Sequence, residues 1–187
     1  TKSLVDSTMT LAERVKHPHA RAMAHFGASY GAYFEGRWEA AWELGQKCEE
    51  ILRGQCTGVA WELDMVHVTS SRALVFMGKL RQLAERLPRF LEEAAQRGDL
   101  FAATSLRMRL SYLLHLISDK AEKSRSSLRE AAERWSHRSF YMQHYFHLFG
   151  DAEISLYSGS GQVAWRELLD RWPGLERSLL LGSQYFR

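Results

Sequence analysis

Breaks between helix-like stretches recur along this chain at a nearly constant spacing. The helical pattern is interrupted at Gly36, Gly78, Ser118 and Gly159, so that successive breaks lie 42, 40 and 41 residues apart. A fixed period of this length is typical of stacked helical hairpins, because one hairpin alone cannot bury its apolar face. The spacing therefore predicts a repeat architecture.

Between the breaks, apolar residues follow the period of an α-helix. Leu106, Leu110, Leu113 and Ile117 mark one such stripe, and no stretch shows the alternation of a strand. Only 3 of the 187 residues are proline, which also favours helix. The sequence predicts an all-α fold, a right-handed superhelical stack of antiparallel helical hairpins.

We expect a single helical-repeat domain over residues 1–187, and a fragment of a longer protein because the chain starts within an amphipathic pattern and without Met. Gly98-Asp99 and Trp172-Pro173-Gly174 are predicted breaks between hairpins, and Pro88 is expected to kink or divide its helix. The predicted segments are a truncated preceding helix (1–17), four hairpins (20–52, 58–97, 99–135 and 139–172) and a C-terminal capping helix (175–187).

Residues at matching places in the hairpins agree with close helix packing. Small residues about seven positions before each break let two helices approach, and large residues just before the break are expected to fill the space around them. The small set is Ser29, Ser71, Ser111 and Ala152, and the large set is Phe34, Phe76, Ile117 and Tyr157.

Two segments resemble tetratricopeptide repeats: Gly36-Arg37-Trp38-Glu39-Ala40-Ala41 and Gly159 through Ala164. The period is longer than the usual 34 residues of that superfamily. In the second half, Gln96–Leu100, Phe140–His144, Ile154–Gly159 and Trp172-Pro173 are similar to the C-terminal repeats of large bacterial serine/threonine protein kinases that also carry an ATPase domain. The resemblance implies a regulatory or partner-binding region of such a kinase.

Bulk properties exclude several classes of protein. The net charge of +3 is too small for a dedicated nucleic-acid or membrane binder, and no apolar stretch is long enough to span a bilayer. Cys48 and Cys56 lack metal-site spacing and are typical of reduced thiols. We expect a cytoplasmic protein with a protein or peptide partner and no membrane partner.

The Gly159-Ser160-Gly161 loop precedes a helix, as phosphate-binding loops do. No lysine follows at the spacing of a Walker motif, so this loop is interpreted as a hairpin turn. We expect no enzyme activity and no cofactor in this chain, and we assign any catalysis to the remainder of the parent protein.

The first helices of stacked hairpins line the concave side, where partners usually bind. Tyr30, Arg72, Tyr112 and Glu153 are expected at equivalent places, although aromatic residues there also serve as packing between helices. The predicted partner-binding residues are Tyr30, Tyr33, Arg72, Met108, Tyr112, His115, Phe149 and Glu153.

Two alternative functions remain open. His144 and His147 share a helix face and suit a small helical metal- or ligand-binding protein. Two arginine-rich faces suit a helical-repeat nucleic-acid binder, although interleaved glutamates favour a solvated, ion-paired surface. The arginines of these faces are Arg81, Arg86 and Arg89 in one helix and Arg125, Arg129, Arg134 and Arg138 along another. A homodimer through the exposed terminal helix of residues 1–17 is a further expectation.

Overall fold

A computed structural model of the chain describes residues 2–136 and 138–182. These residues form helices joined by short turns, and none of them lies in a strand, which confirms the predicted all-α class. The helices are α1 (Lys2–Val15), α2 (Pro18–Phe34), α3 (Trp38–Gln55), α4 (Ala60–Phe76), α5 (Leu80–Gln96), α6 (Leu100–Leu106), α7 (Tyr112–Ile117), α8 (Ala121–Glu133), α9 (Met142–Tyr157) and α10 (Gly161–Glu176). A π-helical turn, Arg107–Ser111, joins α6 to α7, and a 3₁₀ turn spans Leu179–Gly182.

The chain divides into two compact units, Thr1–Arg86 and Leu87–Arg187. In the first unit, α2 and α3 form an antiparallel hairpin, with the rings of Tyr33 and Trp38 5.3 Å apart near the turn. Helix α1 packs on α2, and α4 packs on α3. Buried side chains fill this core, among them Ala22, Cys48, Leu52 and Val66.

In the second unit, α8 packs against the π-helical turn and α7 on one side and against α9 on the other. Helix α10 packs on α9. The core of this unit joins Met108, Tyr112, Leu128, Phe146 and Ile154, all almost fully buried.

A residue with left-handed backbone marks each hairpin turn. These residues are Gly36 (φ 73°), Gly78 (68°), Asp119 (55°) and Gly159 (73°), at intervals of 42, 41 and 40 residues. The third turn is therefore centred on Asp119, one residue after the break that the sequence places at Ser118. Aspartate tolerates this conformation because its short polar side chain makes local contacts.

The position of Asp119 corrects one predicted equivalence. Tyr112 stands seven residues before its left-handed residue, at the place that Ser29 has before Gly36. Tyr30, Arg72 and Glu153 stand six residues before theirs, so Tyr112 does not share their position.

The predicted break at Trp172–Gly174 is wrong, because α10 continues through Pro173 to Glu176. Proline deprives the carbonyl of the residue four positions earlier, here Leu169, of its helical hydrogen bond. Leu169 and Pro173 are both exposed, so water satisfies that carbonyl and the helix persists. The expected separate helix over 175–187 is likewise not found in its described part, and residues 183–187 lie outside the described residues.

Pro88 also lies inside a helix, since α5 spans Leu80–Gln96 without a break. Both Pro88 and Ala84, whose carbonyl loses its partner, are exposed. The expectation that Pro88 divides this helix is therefore wrong.

Candidate interaction surface

Three aromatic residues form a ridge along α2 in the first unit. Phe26, Tyr30 and Phe34 are spaced four residues apart and so lie on one face of the helix. Their ring centroids are 5.6 Å apart for Phe26 and Tyr30, and 4.9 Å apart for Tyr30 and Phe34. The ridge is continuous, and Phe34 is its exposed end.

Helix α4 extends this aromatic surface through Phe76. The ring of Phe76 stacks on Trp38 with centroids 4.3 Å apart and lies 6.0 Å from Tyr33. The guanidinium of Arg72 lies 5.0 Å from the Phe76 ring centroid, a cation–π contact. Phe76 is thus held by Trp38 and Arg72 and is still 47% exposed.

The predicted site residues of the first unit therefore have different environments. Tyr33 and Arg72 are buried, and Tyr30 is partly buried. Their contacts position Phe34 and Phe76, which present the exposed apolar surface.

In the second unit, two of the predicted site residues lie in the core. Met108 and Tyr112 are each only 1% exposed, so they offer a partner almost no surface. The hydroxyl of Tyr112 donates a hydrogen bond to Oε2 of Glu153. This bond fixes the partly buried Glu153 carboxylate against α7.

Phe149 and His115 complete the predicted set. Phe149 is exposed and lies beside Tyr145, with ring centroids 6.2 Å apart. His115 is partly buried; burial, together with the charges of Lys123 and Lys120, lowers its pKa from the usual value. A neutral imidazole is thus favoured there over a cation.

Four apolar residues occupy one equivalent place, two positions before Gly36, Gly78, Asp119 and Gly159. They are 44–52% exposed, and they are Phe34, Phe76, Ile117 and Tyr157. Sequence reasoning recognised this position but assigned it to packing between helices. These large apolar residues recur at hairpin ends, where the chain turns in solvent. That location is the feature of the sequence that indicates exposed side chains.

The surroundings of these residues carry both signs of charge. Near Phe34, Arg37 donates to Glu35 at 2.6 Å, and Lys79 donates to Glu39 at 2.6 Å. In the second unit, the Tyr157 hydroxyl donates to Oδ1 of Asp119 at 2.9 Å. That hydrogen bond raises the pKa of Tyr157.

His144 and His147 line a cleft of about 460 Å³ in the second unit. The Nδ1 atom of His144 accepts from the backbone N–H of Tyr141 at 3.0 Å. His147 lies 3.3 Å from Asp151 through Nε2 and 2.9 Å from Arg171 through Nδ1. Burial, with Arg171 adding to it and Asp151 opposing it, lowers the pKa of His147.

These contacts occupy both ring nitrogens of His147. In the part of the chain that the structure describes, no group of three or more His, Cys, Asp or Glu side chains is arranged to hold a metal ion. The cleft is therefore better described as an ion-paired region than as a metal centre.

Several of the arginines considered for nucleic-acid binding are paired with acidic or hydroxyl groups. Arg89 donates to Glu93 at 2.8 Å, and Arg134 donates to Glu130 at 3.0 Å. Arg125 donates to Ser155 at 3.2 Å. The pairs with Glu93 and Glu130 reduce the positive charge that the two faces offer to a phosphate backbone.

Arg86 belongs to a largely buried ionic cluster of the first unit. Its Nη2 donates to Glu49 at 2.6 Å, and Nε of Arg53 donates to the other carboxylate oxygen at 2.8 Å. His67 lies 3.3 Å from the same carboxylate. The cluster anchors α4 and the beginning of α5 to α3 and is structural in character.

Helix α1 carries a largely exposed apolar stripe formed by Leu4, Leu11 and Val15. Its opposite side packs on α2, where Ala12 is buried. This is the helix for which the sequence suggests a homodimer contact.

Comparison with protein-family models, curated proteins and solved structures yields no significant match for the chain. Within the described residues, no helix is both long and apolar enough to cross a membrane.

Proposed function

We propose that this chain is a protein-interaction module that binds a peptide or protein segment along the faces of its first helices. The proposal includes a right-handed stack of tetratricopeptide-like hairpins, which brings equivalent residues of successive hairpins to one surface. It rests on the exposed apolar residue that recurs at the end of each first helix.

The recurrence of that residue carries the proposal. An apolar residue that is buried in every hairpin is explained by core packing alone. Phe34 and Phe76 instead expose nearly half of their surface, while their rings pack against Tyr30 and Trp38 respectively. Rigid aromatic side chains bind with little loss of conformational entropy and dominate interface energies. Ile117 and Tyr157 are exposed to a similar degree in the second unit.

We further propose that the parent is a bacterial signalling protein with a serine/threonine kinase domain. The resemblance to kinase-linked repeats supports this assignment, and it lies in Gln96–Leu100, Phe140–His144, Ile154–Gly159 and Trp172-Pro173. In such a protein the bound segment belongs either to a separate partner or to the same chain, and the second case produces autoregulation.

Photo-crosslinking tests the proposed surface. A benzophenone amino acid is placed singly at Phe34, Phe76, Ile117 or Tyr157, and in a matched control at Trp61, which is 59% exposed and lies at the opposite end of α4 from Phe76. The parent protein, or this chain in host-cell extract, is irradiated and the adducts are identified by mass spectrometry.

We expect the four test positions to yield adducts to one common polypeptide segment that the Trp61 control does not yield. Phe34→Ala and Phe76→Ala are expected to reduce adduct formation at the remaining positions by about tenfold, which corresponds to about 1.4 kcal/mol. Adducts that are absent, or that are the same at Trp61, contradict the proposal.

A further inference from the structure

The cleft of the second unit is lined by two guanidinium groups and two imidazoles. Helix α10 contributes Arg171 and Arg177, and α9 contributes His144 and His147. Its volume of about 460 Å³ is within the range of small-molecule sites. Asp170 is the one carboxylate among the described residues that line it. With neutral imidazoles the lining therefore carries a net positive charge, which favours an anionic ligand.

Arg171 is held in place through only one of its three guanidinium nitrogens. Its Nη1 donates to Nδ1 of His147 at 2.9 Å and to Oδ2 of Asp151 at 3.3 Å. Its Nε and Nη2 make no hydrogen bond with another described residue. These two atoms form an edge of the guanidinium that matches two oxygens of an oxyanion. Arg171 thus brings an oriented pair of donors to the cleft, and its side chain is 41% exposed.

Arg177 supplies a second guanidinium, which the fold does not neutralise. It is exposed, and its side chain makes no hydrogen bond or ion pair with another described residue. Two helical turns separate it from Asp170, a rise of about 10 Å along α10. Asp170 therefore offsets positive charge at one end of the cleft and does not pair with Arg177.

The surroundings of His147 are also electropositive. Burial lowers its pKa, and the charge of Asp151 opposes this effect. The charges of Arg171, His144 and Arg129 reinforce the lowering. Arg129 lies on α8 and is exposed, so positive charge reaches this part of the cleft from a third helix.

The remaining walls supply a further donor and an apolar surface. The Nδ1 atom of His144 accepts from the backbone N–H of Tyr141 at 3.0 Å, so the neutral ring carries its proton on Nε2, which is a donor. The ring of Phe140 lies against Gly174, where an added Cβ would be 3.1 Å from Cδ2 of the ring. An apolar wall lowers the local dielectric constant and strengthens the attraction between the cleft and an anion.

Donors on both sides of the cleft favour a phosphate group over a carboxylate. Arg171 and Arg177 belong to α10, whereas His144 belongs to α9. A carboxylate has two oxygens in one plane, but a phosphate monoester has three acceptor oxygens that point in different directions. We propose that this cleft binds a phosphate group, as free phosphate or as the monoester of a small molecule. The inference does not depend on the proposed peptide-binding function.

Titration of the full 187-residue chain with inorganic phosphate and with O-phosphoserine, at constant pH and ionic strength, tests the site. The arginine Nε–H signals in proton–nitrogen NMR spectra report on the contacts, and Arg-to-Gln variants assign them. We expect the signals of Arg171 and Arg177 to shift saturably with one dissociation constant. Tighter binding of phosphoserine identifies an ester as the ligand, tighter binding of inorganic phosphate identifies the free ion, and both results support the site.

Variants of the lining charges are expected to act in opposite directions. Arg177→Gln removes a donor that has no contact in the fold, and should raise the dissociation constant by about tenfold or more. Asp170→Asn removes the carboxylate that repels the anion, and should lower the constant by about threefold. Arg166→Gln is the matched control, since Arg166 is an exposed arginine of the same helix that does not line the cleft; we expect a change of less than about twofold.

Three results overturn the proposal. The first is the absence of saturable shifts with either phosphate probe. The second is an equal loss of binding in Arg177→Gln and Arg166→Gln, which assigns the effect to general surface charge. The third is acetate binding as tight as that of phosphate at the same ionic strength. Circular dichroism verifies that each variant retains its helix content.

Discussion

The hydroxyl of Ser29 donates a hydrogen bond of 2.6 Å to the backbone carbonyl of Ala41, twelve residues later in the chain. The bond joins α2 and α3, the two helices of one hairpin. In the hairpin of Asp119, the same two places are occupied by Tyr112 and Ser124. There the Ser124 hydroxyl donates to the Tyr112 carbonyl, also at 2.6 Å. The donor lies on the first helix of the hairpin in one case and on the second helix in the other. Both hairpins therefore have a hydrogen bond between the same two positions.

Removing either hydroxyl is expected to destabilise its unit. Ser29→Ala and Ser124→Ala each delete one buried hydrogen bond and should lower the free energy of unfolding by about 1 kcal/mol. Urea denaturation followed by circular dichroism measures the change. The control is Ser126→Ala, an exposed serine of the same helix as Ser124, and equal losses for Ser124→Ala and Ser126→Ala would contradict the role of the hairpin bond.

A glycine in α3 permits the close approach of α4. A Cβ at Gly45 would lie 3.0 Å from Cβ of Ser70, so Gly45→Ala forces the helices apart. We expect a loss of about 1–3 kcal/mol despite the better helix propensity of alanine. Gly54→Ala in the same helix meets no atom within 4 Å and is expected to be neutral or stabilising; a Gly45→Ala protein as stable as wild type would contradict the close approach.

The Glu49 cluster should make stability depend on pH. Burial by itself raises the pKa of Glu49, but His67, Arg53 and Arg86 outweigh it and lower the pKa from its usual 4.5 to about 2. Since the folded pKa lies below the unfolded one, the ionised carboxylate contributes stability that is full above pH 4.5 and is lost as the pH falls towards 2.

Glu49→Gln removes this contribution. At pH 7 we expect a loss of about 2–4 kcal/mol, because the neighbouring cations lose their counter-charge. Denaturation curves between pH 2 and pH 7 should show the difference from wild type shrinking below pH 4.5. Glu50→Gln, at an exposed neighbouring position, is the control, and a Glu49→Gln deficit that is constant with pH would refute the electrostatic origin.

Two tyrosine–carboxylate bonds differ in burial. Tyr112 donates to Glu153 from a position that is 1% exposed, and Tyr157 donates to Asp119 from one that is 52% exposed. Tyr112→Phe is expected to cost about 1–2 kcal/mol of unfolding free energy, because the buried bond is not replaced by water, and Tyr157→Phe is expected to cost clearly less. Thermal denaturation ranks the two variants, and the reverse order would show that burial does not govern these bonds.

The two thiols should react at very different rates. Burial, with the charges of Cys56 and Glu49 adding to it, raises the pKa of Cys48 to about 12, so its nucleophilic thiolate is nearly absent at neutral pH. Cys56 is partly exposed. Iodoacetamide labelling of the native protein followed by peptide mass spectrometry is expected to modify Cys56 well before Cys48, whereas labelling in denaturant should modify both equally.

Helix periodicity and glycine breaks are sufficient to predict the helical class of the described residues and three of the four hairpin turns found among them. The turn at Asp119 was misplaced by one residue because an aspartate signals a left-handed conformation far less strongly than a glycine. The predicted break at Pro173 is wrong because the cost of a proline in a helix depends on the exposure of the carbonyl that it leaves without a partner. The sequence does not show that exposure.

The candidate surface was harder to predict than the helices. Helical spacing shows which residues share a face but not which neighbouring helix covers that face. Met108 and Tyr112 were therefore placed on the same predicted surface as Phe149, although the first two are core residues and the third is exposed. The exposure of the Phe34 and Phe76 side chains can be recognised only once the geometry of the hairpin turns is known.

Asp119 shows what a hairpin gains when its turn residue is not glycine. A left-handed aspartate carries a conformational cost that glycine avoids, yet its carboxylate receives the hydroxyl of Tyr157 from the next hairpin. The turn thereby carries a hydrogen bond to the following hairpin. Asp119→Gly would relax the backbone and remove this hydrogen bond, so the contact between the two hairpins requires a residue that local conformational preference alone would not select.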